Sequence, residues 1–136
     1  MRRVRHGRGG LLTAIVNGSG RSPRPGPGFG SPARHGDLLY GLDIDNRFRA
    51  IDARTGEVIY NEQVRGLGGP MYPSVTIAGG HIFLGSENGS ALVLKPGREY
   101  NVIATDKLDD LVRCSPVFEG TRMYVRGQKN IYCIGK

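Results

Sequence analysis

Ser31-Pro32-Ala33-Arg34-His35-Gly36-Asp37-Leu38-Leu39-Tyr40 returns as Ser74-Val75-Thr76-Ile77-Ala78-Gly79-Gly80-His81-Ile82-Phe83. It returns again as Ser115-Pro116-Val117-Phe118-Glu119-Gly120-Thr121-Arg122-Met123-Tyr124. The Ser-to-Ser steps are 43 and 41 residues. Each unit carries several short apolar runs separated by Gly-rich turns. A period of about 40–45 residues built from short strands is the mark of β-propeller blades. The expected fold is therefore all-β: a partial propeller of about two and a half to three four-stranded antiparallel blades, the last lacking its outer strand.

Working outward, each unit reads as four strands, A to D, in meander order. The first blade spans 31–64, with A near 31–35, B over Asp37–Asp43, C over Arg47–Asp52 and D over Glu57–Val64. Leu38, Tyr40 and Leu42 alternate with Leu39 and Gly41, so both faces are largely apolar, as a sheet sandwiched between neighbours requires. The second blade spans 73–106, with strands at Pro73–Ile77, His81–Ser86, Ser90–Lys95 and Glu99–Thr105. Its Glu87-Asn88-Gly89 turn is a hairpin signal, because Asn and Gly tolerate positive φ. The third blade spans 114–135, with strands at Cys114–Phe118, Arg122–Arg126 and Asn130–Ile134. It has no fourth. Arg65–Met71 and Asp106–Val112 are long enough to pass from one blade's rim to the next blade's first strand. A three-stranded last blade suits a ring closed by a strand from elsewhere, so the C-terminus is expected to be natural and the N-terminus truncated.

The formal net charge of +7 is not spread evenly. Seven of the 19 Lys and Arg residues (Arg2, Arg3, Arg5, Arg8, Arg21, Arg24 and Arg34) precede the first acid, Asp37, and the remaining 12 match the 12 acids. The charge belongs to residues 1–30, a basic Arg/Gly/Pro-rich tail too poor in apolar side chains to build a core, for which disorder is expected. Only Leu11-Leu12-Thr13-Ala14-Ile15-Val16 could find a place, as a substitute strand on an open edge. That run is shorter than a secretory apolar region, and with only Phe29 the tail lacks the aromatics of a nucleic-acid arm. No nucleic-acid partner and no transmembrane span are expected. Cys114 and Cys133 fall on strands one and three of the last blade, too far apart for a disulfide, so two buried free thiols are expected.

Ala50-Ile51-Asp52-Ala53-Arg54-Thr55-Gly56-Glu57-Val58-Ile59-Tyr60 resembles the repeat of pyrroloquinoline-quinone-type propellers, Ala-x-Asp-x-x-Thr-Gly-x-x-x-Trp. Ala50, Asp52, Thr55 and Gly56 stand in register. Asp52 can accept backbone N–H bonds as an Asx turn, Thr55 can add another such bond, and Gly56 supplies positive φ. Tyr60 occupies the Trp position, and the chain has no Trp. In the family that ring docks between blades, so the resemblance implies weaker blade-to-blade packing here. It covers residues 31–136, is specific for the first unit, and is partial for the others, where Lys95-Pro96-Gly97 replaces the longer turn.

The resemblance implies a periplasmic or cell-envelope setting. It does not bring the quinone cofactor with it: relatives that bind pyrroloquinoline quinone and calcium do so in larger rings with side chains from many blades, and no matching residues stand here. Asp43-Ile44-Asp45-Asn46 lacks the Gly and distant Glu of a calcium loop and reads as a solvated turn. His6 and His35 have no partners at metal spacing, and His81 reads as structural. Ser86-Glu87 and Asp109-Asp110 form no nucleophile or paired-acid site. Gly66-Leu67-Gly68-Gly69 has no strand-to-helix context for a phosphate loop. No catalytic, cofactor or metal residue is therefore named. The expected function is a non-catalytic structural or protein-interaction scaffold, a remnant of a larger propeller, that meets protein partners through exposed blade faces and an open edge and self-associates. The alternatives are a fragment of a quinone-dependent dehydrogenase and a propeller like the outer-membrane assembly lipoproteins.

Overall fold

A computed structural model describes residues 30–43 and 45–136. The basic segment before residue 30, with His6, Phe29 and the Leu11–Val16 run, lies outside the described residues. Eleven strands and no helix make up the described residues. They are β1 (Ala33–His35), β2 (Leu38–Leu42), β3 (Arg47–Asp52), β4 (Val58–Gln63), β5 (Thr76–Ala78), β6 (His81–Gly85), β7 (Ser90–Leu94), β8 (Val102–Lys107), β9 (Val117–Glu119), β10 (Arg122–Arg126) and β11 (Ile131–Gly135). They form two four-stranded sheets and one three-stranded sheet, each in simple sequence order. Every pairing is antiparallel.

The three sheets repeat one another residue for residue. Ala33, Tyr40, Ala50 and Tyr60 lie side by side across the first sheet. Thr76, Phe83, Val93 and Ala104 make the same row in the second. In the third the row is Val117, Tyr124 and Cys133. The register slips at the same place in both outer strands, between Ala50 and Ile51 and between Val93 and Leu94. Such a bulge adds twist, and its recurrence shows that the blades share a shape as well as a topology.

The main core lies between the first and second sheets. Leu38, Tyr40, Phe48 and Ala50 meet Ile82, Leu84, Leu92 and Leu94, all buried, with Val64, Leu67 and Met71 of the first linker closing the end. Each such side chain contributes roughly 1.5–3 kcal/mol on leaving water. The opposite face of the second sheet presents Phe83, whose ring meets that of Phe118 of the third at 4.7 Å, tilted by 48°. The middle sheet is thus apolar on both faces because it has a neighbour on each.

Several boundaries depart from the sequence reading. Each A strand begins two or three residues later than expected, and in the first two blades this is because the residues before it bond to the next blade. The Ser31 N–H donates to Ser74 Oγ and the Ser74 N–H to Ser115 Oγ, both at 2.9 Å. Pro32 and Pro116 have no N–H to give to a sheet. The second D strand starts at Val102 rather than Glu99, since Gly97–Tyr100 leave the sheet to dock on the first blade. Cys114 precedes β9, and Cys114 and Cys133 are free but exposed rather than buried; Cys133 lies on the outer face of the third sheet, which stands open among the described residues. The two end faces of the stack differ. On the far side of the first sheet Ile51 is fully enclosed and Arg49 nearly so, whereas Val117 and Ile131 on the third are 65% and 78% exposed.

The serine relay joins all three blades through the residue that opens each repeat. Replacing Ser74 by Ala leaves the Ser31 N–H without its acceptor and should cost about 0.5–1.5 kcal/mol. Denaturant unfolding checks the loss, and faster amide exchange at Ser31 than at Ser74 would place it at this junction.

Candidate functional site

The chemistry that the chain does display is concentrated at its blade junctions. Between the first and second blades it is built from the Asp52 turn. Asp52 Oδ1 accepts the N–H groups of Arg54 and Thr55, both at 2.9 Å. Its carbonyl accepts the Gly56 N–H at 2.8 Å, and Thr55 Oγ1 accepts that of Glu57 at 3.2 Å. Gly56 turns the chain with φ at +77°, a region that side chains resist. The Thr55 N–H above all, with the Arg54 N–H, the Thr55 hydroxyl and Arg98, holds the Asp52 carboxyl below its ordinary pKa against the opposing effect of burial.

Arg98 comes from the second blade. It reaches Asp52 at 3.2 Å and Asp37 at 3.6 Å. Beside it, the Tyr40 hydroxyl accepts the Gly97 N–H at 2.9 Å. Tyr60 sits among Phe48, at 6.0 Å, and Tyr100, at 6.1 Å and edge-on, a geometry aromatic pairs favour. Burial pushes both the Tyr60 and Tyr100 hydroxyls up in pKa. Ala50, fully buried, is the small residue between Tyr40 and Tyr60 in this row. The structure therefore brings Ala50, Asp52, Thr55, Gly56 and Tyr60 together at one junction. Tyr40, Gly97, Arg98 and Tyr100 complete it, and the sequence reading assigns none of them to this junction. Nothing local marks them for it, because their partners lie 40 or more residues away.

Between the second and third blades the organiser is Asp110. Its carboxylate accepts the N–H groups of Leu111 (2.8 Å), Gln128, Lys129 and Asn130, and the Tyr132 hydroxyl. Burial raises its pKa, but the Lys129, Asn130 and Leu111 N–H groups and the Tyr132 hydroxyl more than reverse this, leaving it below the ordinary value. A Cβ on Gly127 would overlap this carboxylate. Above it lies an apolar cleft of about 130 Å³, lined in part by Phe83, Val93, Met123, Val125 and Ile134.

The remaining sequence candidates fall apart as sites. Asp43 is not a solvated turn residue. It is buried, accepts the Asp45 and Arg47 N–H groups, and pairs with Arg49 at 2.7 Å. His81 is exposed, its Nδ1 at 2.8 Å from the Gly79 carbonyl, and His35 lies at the end of β1. The Ser86 hydroxyl donates to Asn88 at 2.6 Å, and Glu87 pairs with Arg113. Gly66 and Gly69 bend a linker that buries Leu67. Among the described residues no three His, Cys, Asp or Glu side chains gather to hold a metal ion. The buried acids Asp43, Asp52 and Asp110 are each committed to backbone N–H groups or arginine. Calcium and a quinone bearing carboxylates do not fit these donors. No described helix is long and apolar enough to cross a membrane.

No protein-family model matches the chain, and no curated protein matches it by sequence. Among solved structures it is similar to BamB from Moraxella catarrhalis, with a TM-score of 0.60 and 17% identity. The match covers 76% of this chain and 30% of that one, so the chain spans less than a third of BamB's length. At that identity the likeness concerns the fold, and the fold is a partial β-propeller.

Two outcomes follow for the junctions. Tyr40→Phe strands the Gly97 N–H and should cost about 1–2 kcal/mol in urea unfolding. Tyr124→Phe, the same row position on the open third sheet, should cost less than about 0.5 kcal/mol. Asp110 is ionised more readily when folded than unfolded, so its contribution is complete above its unfolded pKa, near 3.8. It is lost as pH falls through the lower folded value. Asp110→Asn should lower stability at pH 7 and flatten its decline between about pH 5 and pH 2, followed by circular dichroism.

Proposed function

We propose that this chain is a non-catalytic propeller module of the pyrroloquinoline-quinone-type repeat class that works as a structural or protein-interaction scaffold within a larger assembly. The observation that carries the reading is the outer face of the third sheet. Val117, Ile131, Tyr124 and Cys133 lie on it, and it ends in β11, which among the described residues has a partner strand on one side only. The equivalent faces of the first and second sheets are covered by the next blade. Apolar surface of that kind marks a contact site, and an open strand edge offers main-chain groups to another strand.

The blade repeats support the class. The Ala50–Tyr60 turn keeps the hydrogen bonds that its residue types call for, and Tyr60 packs on the next blade as the family's Trp does. The buried acids Asp43, Asp52 and Asp110 are tied to backbone N–H groups or arginine, which supports a role without a quinone or calcium ion. Association follows from the same face. Burying a few hundred Å² at about 25 cal/mol per Å² represents several kcal/mol, so the chain associates with itself or with complementary blades.

Sedimentation at micromolar concentration tests this. The chain should show concentration-dependent association, and Val117→Asp with Ile131→Asp should reduce it without lowering the melting temperature. A monomer at all concentrations whose melting is cooperative and unaffected by the double substitution would overturn the scaffold reading.

A further inference from the structure

Three rows end differently, and the difference specifies a ligand. In the first sheet Leu42, Phe48 and Glu62 lie side by side, and in the second Gly85, Ala91 and Asp106 do. Both rows finish on an acid in the outer strand. The matching row of the third sheet is Arg126 and Ile131, with no further strand among the described residues. Here alone an arginine stands on the inner strand. Arg126 is exposed, belongs to none of the ion pairs found among the described residues, and faces the open side with Ile131. A strand laid against β11 would lie two strand spacings from β10, about 9.6 Å. An acidic side chain in this row and the arginine together span that distance over Ile131.

The two outer strands present also define the rest of the ligand. β4 reads Val-Ile-Tyr-Asn-Glu-Gln and β8 reads Val-Ile-Ala-Thr-Asp-Lys. They share Val-Ile at the start, an acid at the fifth place and the same bulge. In both, the first residue pairs with Ile51 or Leu94, the row of Ile134. The fourth place of the third sheet is therefore shaped for a strand of the same register.

We infer that the β11 edge binds an extended segment of Val-Ile-x-x-acid type, added antiparallel as a fourth strand, with its acid paired to Arg126. Main-chain bonds supply affinity and the alternate side chains supply register, as in strand-addition complexes. This rests on the scaffold reading and names the partner's chemistry at that same face.

The test uses the full chain and a capped peptide with the sequence of residues 101–108. A second peptide carries Arg in place of the acid at position 106. The acidic peptide should perturb and slow the exchange of amides in Ile131–Gly135, and bind about fivefold tighter than the Arg peptide. Arg126→Glu, a surface change whose folding circular dichroism verifies, should invert that order. Equal binding of the two peptides, perturbation centred away from β11, or no binding would overturn the inference. So would a β11 edge already protected by a second copy of the chain. Any of these, alongside association that Val117→Asp and Ile131→Asp reduce, leaves the scaffold reading intact; the two fail separately.

Discussion

A sheet that is apolar on both faces cannot stand alone in water, and this constraint organises the molecule. The second sheet puts Ile82, Leu84, Leu92 and Leu94 on one side and Phe83 and Val93 on the other. Neither set could be left wet without forfeiting most of what folding gains. Stacking blades radially is the arrangement that covers both. The same constraint explains why the third sheet differs in composition. Its covered face holds Phe118, Met123, Val125 and Ile134, while its open face mixes Val117, Tyr124 and Ile131 with Arg122 and Arg126.

Burial alone would let such sheets slide and rotate over one another. Polar contacts at fixed places in each repeat set the angle. The serines pass a hydrogen bond from blade to blade at one end. At that same end, since Ala33 pairs with Tyr40 and Ser31 lies level with Leu42, side-chain acceptors close the turns between strands B and C: Asp43 in the first blade, Asn88 in the second and Asp110 in the third. The third acceptor comes from the linker rather than from the turn itself. Asp110 therefore ties the passage between blades to the blade it enters, and a glycine at 127 leaves room for it.

The architecture was legible because its signals are local and repeated. Three copies of one phrase set the period, alternation at Leu38–Leu42 marked a two-faced sheet, and Asp52, Thr55 and Gly56 announced a turn that the hydrogen bonds reproduce. What could not be read depends on partners distant in sequence. Asp43 looked like a solvated acid because Arg49 faces it only once β2 and β3 have paired. Cys114 and Cys133 looked buried because a strand pattern cannot say which face of a sheet is covered. The serines were visible as a repeat marker, but their hydrogen bonds run across about 40 residues.

Tyr60 shows how a junction between blades can be seated without a tryptophan. A single large ring stacks on a neighbouring turn and supplies area and orientation together. Here these are divided. Area comes from Phe48, Tyr60 and Tyr100, which meet at centroid distances of 6.0–6.3 Å. Orientation comes from the Tyr40 hydroxyl, which receives the Gly97 N–H, and from Arg98, which bridges to Asp52 and Asp37. That bridge is largely exposed and contributes little energy, yet with the hydroxyl it allows the turn only one seating. The Lys95–Asn101 turn of the second blade carries the N–H that meets the Tyr40 hydroxyl, the arginine that meets Asp52 and the Tyr100 ring that meets Tyr60. Ring and turn act together, so altering either without the other should loosen the pair more than the lost area alone would suggest.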